Sequence, residues 1–369
     1  GNLREGLCRT SRLANCGSLA AGPARILVSM RQVHQAFEAY LPAIEGEMRA
    51  ALDAQDPGTG GLFNLLRYHL GWLDSSLEPC AGPAGKRLRP VICLLACGSC
   101  GGQWEDALPA AAAVELLHNF TLIHDDIEDQ DRFRRGRPTL WSIWGEAQGI
   151  NAGDTLFAIS QLTLHRLGQR GVQSDKILKA LRLFNQTCVI LTHGQYLDIG
   201  FEHRVAASVD EYLAMIEGKT AALIACSCEL GALIADAPRK TREGLRAFGR
   251  HAGLAFQMQD DVLGIWGDSE VTGKPVGSDI ARGKKTLPVL HGLERSAELR
   301  ALMAEGPLGH SDVAKVRDLL EEAGSRGYAE RLALAHYEKA LVALEDVGLR
   351  GSDVRALRQL ARSLVDRNR

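Results

Sequence analysis

VELLHNFTLIHDDIEDQDRFRRGRPT, residues 114–139, joins an apolar run to five carboxylates in seven positions and then to four arginines in six. The apolar residues recur three and four apart, the period of one helix face. Each helical residue turns about 100°, so Asp125 and Asp129 share a face and Asp126 flanks it. An isolated acidic helix end is ordinarily a solvated one. Here the preceding run reads as packed in a core, where unpaired carboxylates are expensive and need a compensating cation. Oxygen ligands of high charge suit Mg2+. Arg134 and Arg135 follow at once, and guanidinium forks bind phosphate oxygens through two parallel hydrogen bonds. Metal ligands beside phosphate ligands predict a polyphosphate site.

A second acidic pair strengthens that reading. FQMQDDVLGIWGD, residues 256–268, places Asp260 and Asp261 in another helical stretch. If the two helices face each other, their carboxylates can clamp metal ions from opposite walls of a bundle. GKPVGSDIARGKKTLP, residues 273–288, follows as a polar, glycine-rich loop with Lys274, Lys284 and Asp279. GKRLRP, residues 85–90, sets Lys86, Arg87 and Arg89 at a predicted helix start, a second place for an anion. EGKTAAL contributes Lys219 and Thr220, and HGQYLDI contributes Gln195 and Asp198, three apart on one helix face. Met alone, each of these would read as ordinary surface polarity.

From Val28 onward the pattern is helical almost everywhere, rich in Ala, Leu, Glu, Arg and Lys, without alternating strand pairs or a fixed repeat. Gly, Pro, Asp and Ser clusters divide it near 57–61, 80–85, 98–103, 134–138, 236–239 and 267–277. No linker is long enough to separate two domains, so the sequence predicts one all-α domain over residues 29–369. Residues 1–28 carry Arg4, Arg9, Arg12 and Arg25 against Glu5 and read as a flexible extension. The chain's 369 residues carry a net charge of −2, which offers no general attraction to nucleic acid or anionic lipid. The longest apolar runs are interrupted by Glu115, His118 and Glu229, and no membrane span is expected. Nine cysteines suit reduced thiols in the cytoplasm. Cys93, Cys97 and Cys100 fall on one helix face but read as packing, since no fourth metal ligand is near.

Six motifs in this order, GKRLRP, HNFTLIHDDIEDQDRFRRGRPT, GQYLDI, GKTAAL, FQMQDDVLGIWGD and GKPVGSDIARGKKTLP, resemble the trans-isoprenyl diphosphate synthases, the farnesyl and geranylgeranyl diphosphate synthase group. The likeness covers about residues 60–295. It implies an isoprenoid synthase helical bundle around a central cavity, usually a homodimer. The reaction it implies condenses isopentenyl diphosphate with an allylic diphosphate, using two or three Mg2+ ions. By motif, Asp125, Asp126 and Asp129 look like the first set of metal ligands, and Asp260 and Asp261 like the second. Arg134, Lys219, Thr220, Gln257, Lys274 and Lys284 would contact the allylic diphosphate. Lys86, Arg89, His118 and Arg135 would hold isopentenyl diphosphate. Diphosphate leaves, the allylic cation forms, and the isopentenyl double bond traps it, so water has to be excluded.

The chain departs from the family at Gly264, where the second motif commonly has a third acid. Asp268, one turn further on, is a substitute if the helix continues. Product length depends on residues one or two turns before Asp125: Phe120 restricts the tunnel, Thr121 is small, and Leu117 and Val114 lie deeper. That pattern implies a C15 to C20 product. A terpene cyclase on the same fold would have no use for GKRLRP, His118 and Arg135. A metal phosphohydrolase built on His124 and Asp125 would leave the arginines unexplained. A non-catalytic partner subunit would be expected to carry damaged motifs, and Gly264 is the one such change.

Overall fold

The computed structural model describes residues 31–366 except 59, 84, 203, 205–206, 268–276 and 305–307. The expected extension at 1–28 lies outside these residues, as do Lys274 and Asp268. In chain order the helices are α1 (Arg31–Asp53), α2 (Gly61–His69), α3 (Leu88–Ser99), α4 (Leu108–Glu128), α5 (Leu140–Trp144), α6 (Glu146–His165) and α7 (Ser174–Glu202). Next come α8 (Val209–Ile216), α9 (Ala222–Ile234), α10 (Arg239–Trp266), α11 (Ser278–Ala281), α12 (Leu287–Arg295), α13 (Ala297–Ala304), α14 (His310–Glu322), α15 (Ser325–Asp346) and α16 (Ser352–Val365).

The fold is all-α, built around α4. Every residue from Leu108 to Leu117 is buried, including the run Ala110–Ala113, so the first half of this helix has no solvent face, while its last turn reaches exposed Glu128. Its small side chains let neighbouring helices approach closely. α4 packs on α3, α6 and α9, while α9 also packs on α3 and α10, and α10 on α15. Leu94, Leu95, Leu116, Phe184, Ile224 and Phe248 belong to the main core. A second cluster of Tyr212, Met215, Leu254, Met258, Val262 and Leu287 lies at the end of the bundle that carries the acidic motifs.

One local feature differs from the sequence reading. α4 stops at Glu128, before the Gly and Pro, because Gln130 enters the left-handed region at φ 54°. The arginines then form a short antiparallel hairpin, Phe133–Arg134 paired with Arg137–Pro138. Arg135 and Gly136 at its tip both have positive φ, 54° and 74°, the turn that matches strand twist. Arg137 anchors the hairpin: its guanidinium lies 4.3 Å from the Tyr68 ring centre and donates to the carbonyls of Tyr68 and Leu73. Tyr68 Oη donates to the Pro138 carbonyl at 2.7 Å.

Candidate active site

The first acidic wall is the last turn of α4. Burial pushes the Asp125 carboxyl up to about 6, against the opposing charge of Lys219, while Asp129 pushes it further the same way. Asp126 turns elsewhere. It is 2% exposed, and its Oδ1 accepts Arg134 Nε at 2.6 Å. Burial also pushes Asp126 up to about 6, with Arg134 opposing.

Opposite stands Lys219, set by an irregular stretch of backbone. Residues Glu217–Ala221 form one π-helical turn between α8 and α9, a widening often found at functional sites. Gly194 of α7 crosses this turn so closely that a Cβ there would collide with the Lys219 backbone nitrogen. The crossing delivers Lys219 Nζ to Asp198 of α7 at 2.5 Å. Burial alone would lower the Lys219 pKa, but Asp125 and Asp198 outweigh it and hold the ammonium above the ordinary lysine range. Gln195, the other polar residue of that α7 motif, donates to Glu128 Oε2 at 2.6 Å.

The second wall divides its two aspartates. Asp261 is 5% exposed and accepts Tyr212 Oη at 2.5 Å, the Leu287 N–H at 3.0 Å and Gln257 Nε2 at 3.1 Å. Burial pushes it up to about 7 despite these donors. Thr220 Oγ1 donates in turn to Gln257 Oε1 at 2.8 Å. Asp261 therefore ties α8, α10 and the start of α12 together, and its oxygens are occupied by protein donors. Asp260 is half-buried, and its charge acts on both Tyr212 and Arg89. A cavity of about 120 Å³ is lined by Asp198, Lys219, Thr220, Gln257, Asp261, Asp279 and Lys284.

Gly264 has a structural explanation. α10 ends at Trp266 with Gly267 already extended at ψ 148°, and Asp268 lies outside the described residues. A Cβ on Gly264 would strike the Asp279 carboxylate. Asp279 thus occupies the space that a third acid of the second motif would fill, and its field acts on Asp261.

The cationic site is a separate cavity of about 670 Å³, lined by Lys86, Arg89, His118 and Arg135 with Phe37, Phe256 and Leu360 as apolar walls. Arg89 Nη1 meets His118 Nε2 at 3.2 Å. Burial, then the charges of Arg89 and Arg135, hold the His118 pKa well below its usual value, so the ring is neutral and accepts from Arg89. Arg87 stands at the N-cap of α3 with φ 49° and serves the scaffold. It is 3% exposed and donates to Glu45 at 2.7 Å and to buried Glu115 at 2.9 Å, joining α1, α3 and α4.

Sequence reading missed His69. It sits among Tyr68, Asp126 and Arg134 in a small void of about 30 Å³, its Nε2 buried without a partner. Burial and four surrounding arginines push its pKa down to about 3. At the deep end, the Phe120 ring lies 5.2 Å from Phe157 of α6 and 4.9 Å from His124. Thr121 Oγ1 bonds back to the His118 carbonyl at 2.8 Å, and Leu117 is fully enclosed in the main core. Among the described residues no three acidic, imidazole or thiol groups stand close enough to hold a metal by themselves. No helix among them is long and apolar enough to cross a membrane.

An all-α bundle with two acidic segments beside a cationic pocket defines the isoprenoid synthase class, and solved structures share its form. The polyprenyl synthetase from Streptomyces coelicolor A3(2) superposes with a TM-score of 0.80 at 34% identity, covering 92% of this chain and 99% of that one. The geranylgeranyl pyrophosphate synthetase from Pyrococcus horikoshii gives 0.81 at 34%, covering 91% and 98%. The polyprenyl synthetase family model matches residues 71–323, and the chain belongs to that family. It is 44% identical to a geranylgeranyl diphosphate synthase of Mycobacterium tuberculosis over 81% of this chain and 85% of the relative. It is 40% identical to a (2E,6E)-farnesyl diphosphate synthase of the same species over 87% and 89%.

Proposed function

We propose that this prenyltransferase joins isopentenyl diphosphate to an allylic diphosphate and releases a C15 to C20 prenyl diphosphate. The observation that carries this reading is the pair of unlike phosphate sites sharing α4: carboxylates with Lys219 on one side, and Lys86, Arg89, His118 and Arg135 on the other. Two diphosphates, one of them brought with metal, match two such sites.

Asp125, Asp129, Asp260 and Asp279 are the oxygen donors that would hold Mg2+. They form no cage of their own, which suits an ion that keeps waters and binds through one or two carboxylates plus substrate phosphates. When bound, Mg2+ neutralises the leaving diphosphate. Lys219, Lys284 and Arg134 reach diphosphate oxygens as fixed cations, and Lys274 joins them by its motif. Thr220 and Gln257 orient one edge of the group. Asp126 keeps Arg134 aimed, and Asp261 keeps Gln257 and the start of α12 in place. Arg89, Lys86 and Arg135 hold the isopentenyl diphosphate so that its double bond faces the allylic carbon, with His118 positioning Arg89. The C–O bond ionises, the double bond attacks the cation, and a proton passes to the departed diphosphate. Phe120 against Phe157 closes the tunnel and limits the chain.

Exposed Ile150 and Leu162 on α6, with Leu178, Val189, Ile190 and Tyr196 on α7, support pairing of two copies through that face. The described cysteines are all free and buried or half-buried, which suits the reducing cytoplasm. The decisive experiment incubates the protein with Mg2+, isopentenyl diphosphate and, separately, dimethylallyl, geranyl and farnesyl diphosphates. Products that gain five carbons and retain the diphosphate, stopping at C15 to C20, are expected. A neutral hydrocarbon or alcohol as the main product overturns the reading.

A further inference from the structure

Residues 277–286 carry Asp279 and Lys284 to the acidic cavity. Their only regular structure is α11, a helix of 4 residues, and one turn cannot hold its own geometry, because nucleating a helix is unfavourable without outside support. The ties to the rest of the molecule therefore decide where Asp279 and Lys284 stand. Two of these ties are to the second wall's side: Lys285 Nζ donates to the Phe201 carbonyl at 2.7 Å, and the Leu287 N–H to Asp261.

A third tie crosses the mouth of the site. Arg282 Nη2 donates to Asp131 Oδ1 at 2.6 Å and Nη1 to Oδ2 at 3.3 Å, a two-pronged pair between residues 151 apart in the chain. Asp131 is itself fixed. Its N–H donates to the Asp126 carbonyl at 2.9 Å, and its own carbonyl accepts Thr139 Oγ1 at 2.8 Å and Trp141 Nε1 at 2.9 Å. On the other side, Gly283 takes φ 67° and closes a tight turn, with the Lys284 N–H on the Asp279 carbonyl at 2.9 Å. Asp279, Arg282 and Lys284 therefore move as one unit. The charges of Asp129 and Asp279 also reach Arg282, so it stands between the acids of both walls.

We propose that Arg282 is a positioning residue whose ion pair with Asp131 clasps residues 277–286 to the first acidic wall. The clasp holds Asp279 and Lys284 where an allylic diphosphate and its metal ions need them, and it offsets repulsion between Asp129, Asp131 and Asp279. Arginine is required because its planar fork meets both carboxylate oxygens, whereas a lysine meets one at a time. A typical exposed pair contributes little. This one differs by joining two ligand-bearing segments with a partner whose backbone is anchored.

The inference rests on the prenyl-transfer reading, and its test includes a readout that needs no turnover. Arg282→Ala, Asp131→Ala, the double variant and Arg282→Lys are compared by hydrogen exchange over residues 277–286 in the substrate-free protein. The same set is compared by calorimetric binding of pyrophosphate with Mg2+, and by KM for each substrate. Each alanine variant is expected to speed exchange and to raise the allylic KM and the pyrophosphate Kd by about threefold to fivefold. The KM for isopentenyl diphosphate stays constant, the double variant is no worse than the stronger single, and Arg282→Lys falls between. Unchanged exchange in Arg282→Ala, single effects that multiply in the double variant, or an equal rise in both KM values overturns the clasp. A protein that exchanges as expected but elongates nothing would sink the prenyl-transfer reading and leave the clasp standing.

Discussion

The cationic pocket and the acidic cavity share α4 but await their ligands in opposite states. Around the pocket, buried donors are left over: Arg89 Nε and one terminal nitrogen of Arg87 have no hydrogen-bond partner. On the acidic side, cations are already engaged, Lys219 with Asp198 in the cavity, and Arg134 with Asp126 and Arg282 with Asp131 beside it. Unsatisfied buried donors are costly, so an anion that enters the pocket is welcomed directly. In the cavity a bare diphosphate meets carboxylates that repel it, and it must arrive with its own cations. On the proposed reading, the difference places metal dependence at one substrate site and not at the other.

The sharpest way to break this contrast is at Asp125. Asp125→Ala is expected to lower kcat for elongation by about 10³-fold, since it removes an electrostatic contributor at the ionising bond. A variant that elongates at the original rate would refute the metal assignment. Next in size is Arg89→Ala, expected to raise the KM for isopentenyl diphosphate by about 30-fold with the allylic KM unchanged, the cost of losing charge-assisted hydrogen bonds. A binding experiment in EDTA sharpens the point: pyrophosphate is expected still to bind the wild-type protein without metal, and Arg89→Ala is expected to abolish this.

Gly264→Asp tests the cavity from the other direction. Completing the family's acidic motif is expected to lower kcat by about tenfold, because the new side chain drives Asp279 from its place. A rise in rate would show that Asp279 does not stand in for the missing acid. The smallest effect concerns pH. Asp261 titrates at about 7 in the folded protein, against the ordinary 3.8 of an aspartate. The folded state therefore holds this proton more tightly, and the stability it contributes is present below about pH 4 and lost as pH rises through about 7. Asn stays neutral, so the Tm of Asp261→Asn is expected to gain on the wild type by about two to four degrees between pH 5 and pH 8. A constant difference across that range would place the Asp261 pKa near its ordinary value.

Particular residues mark how far the sequence could be read. The helical pattern, the order of the motifs and the clustering of Asp125, Asp129, Arg134 and Arg135 were all visible, because each depends on the helix period or on neighbours in the chain. GKRLRP was legible as a cationic segment, and only the motif resemblance favoured Arg89 over Arg87 within it. That division is made by Glu45 and Glu115, which arrive from α1 and α4 and draw Arg87 into the scaffold. Asp260 and Asp261 likewise read as twins until Tyr212 and the Leu287 N–H claim one of them. His69 carried no signal at all, since its surroundings come from the hairpin that folds over it.

Residue type, helix period and motif order determined the class of chemistry: an all-α bundle with acids for metal and bases for phosphate. Tertiary structure alone decided which charges line the two cavities and which are drawn into the frame. Helical periodicity is a short-range property written into consecutive residues, whereas a buried ion pair is strong only where two distant segments exclude water around it. Arg87 meeting Glu115 across 28 residues, with both side chains buried, is a decision of that second kind.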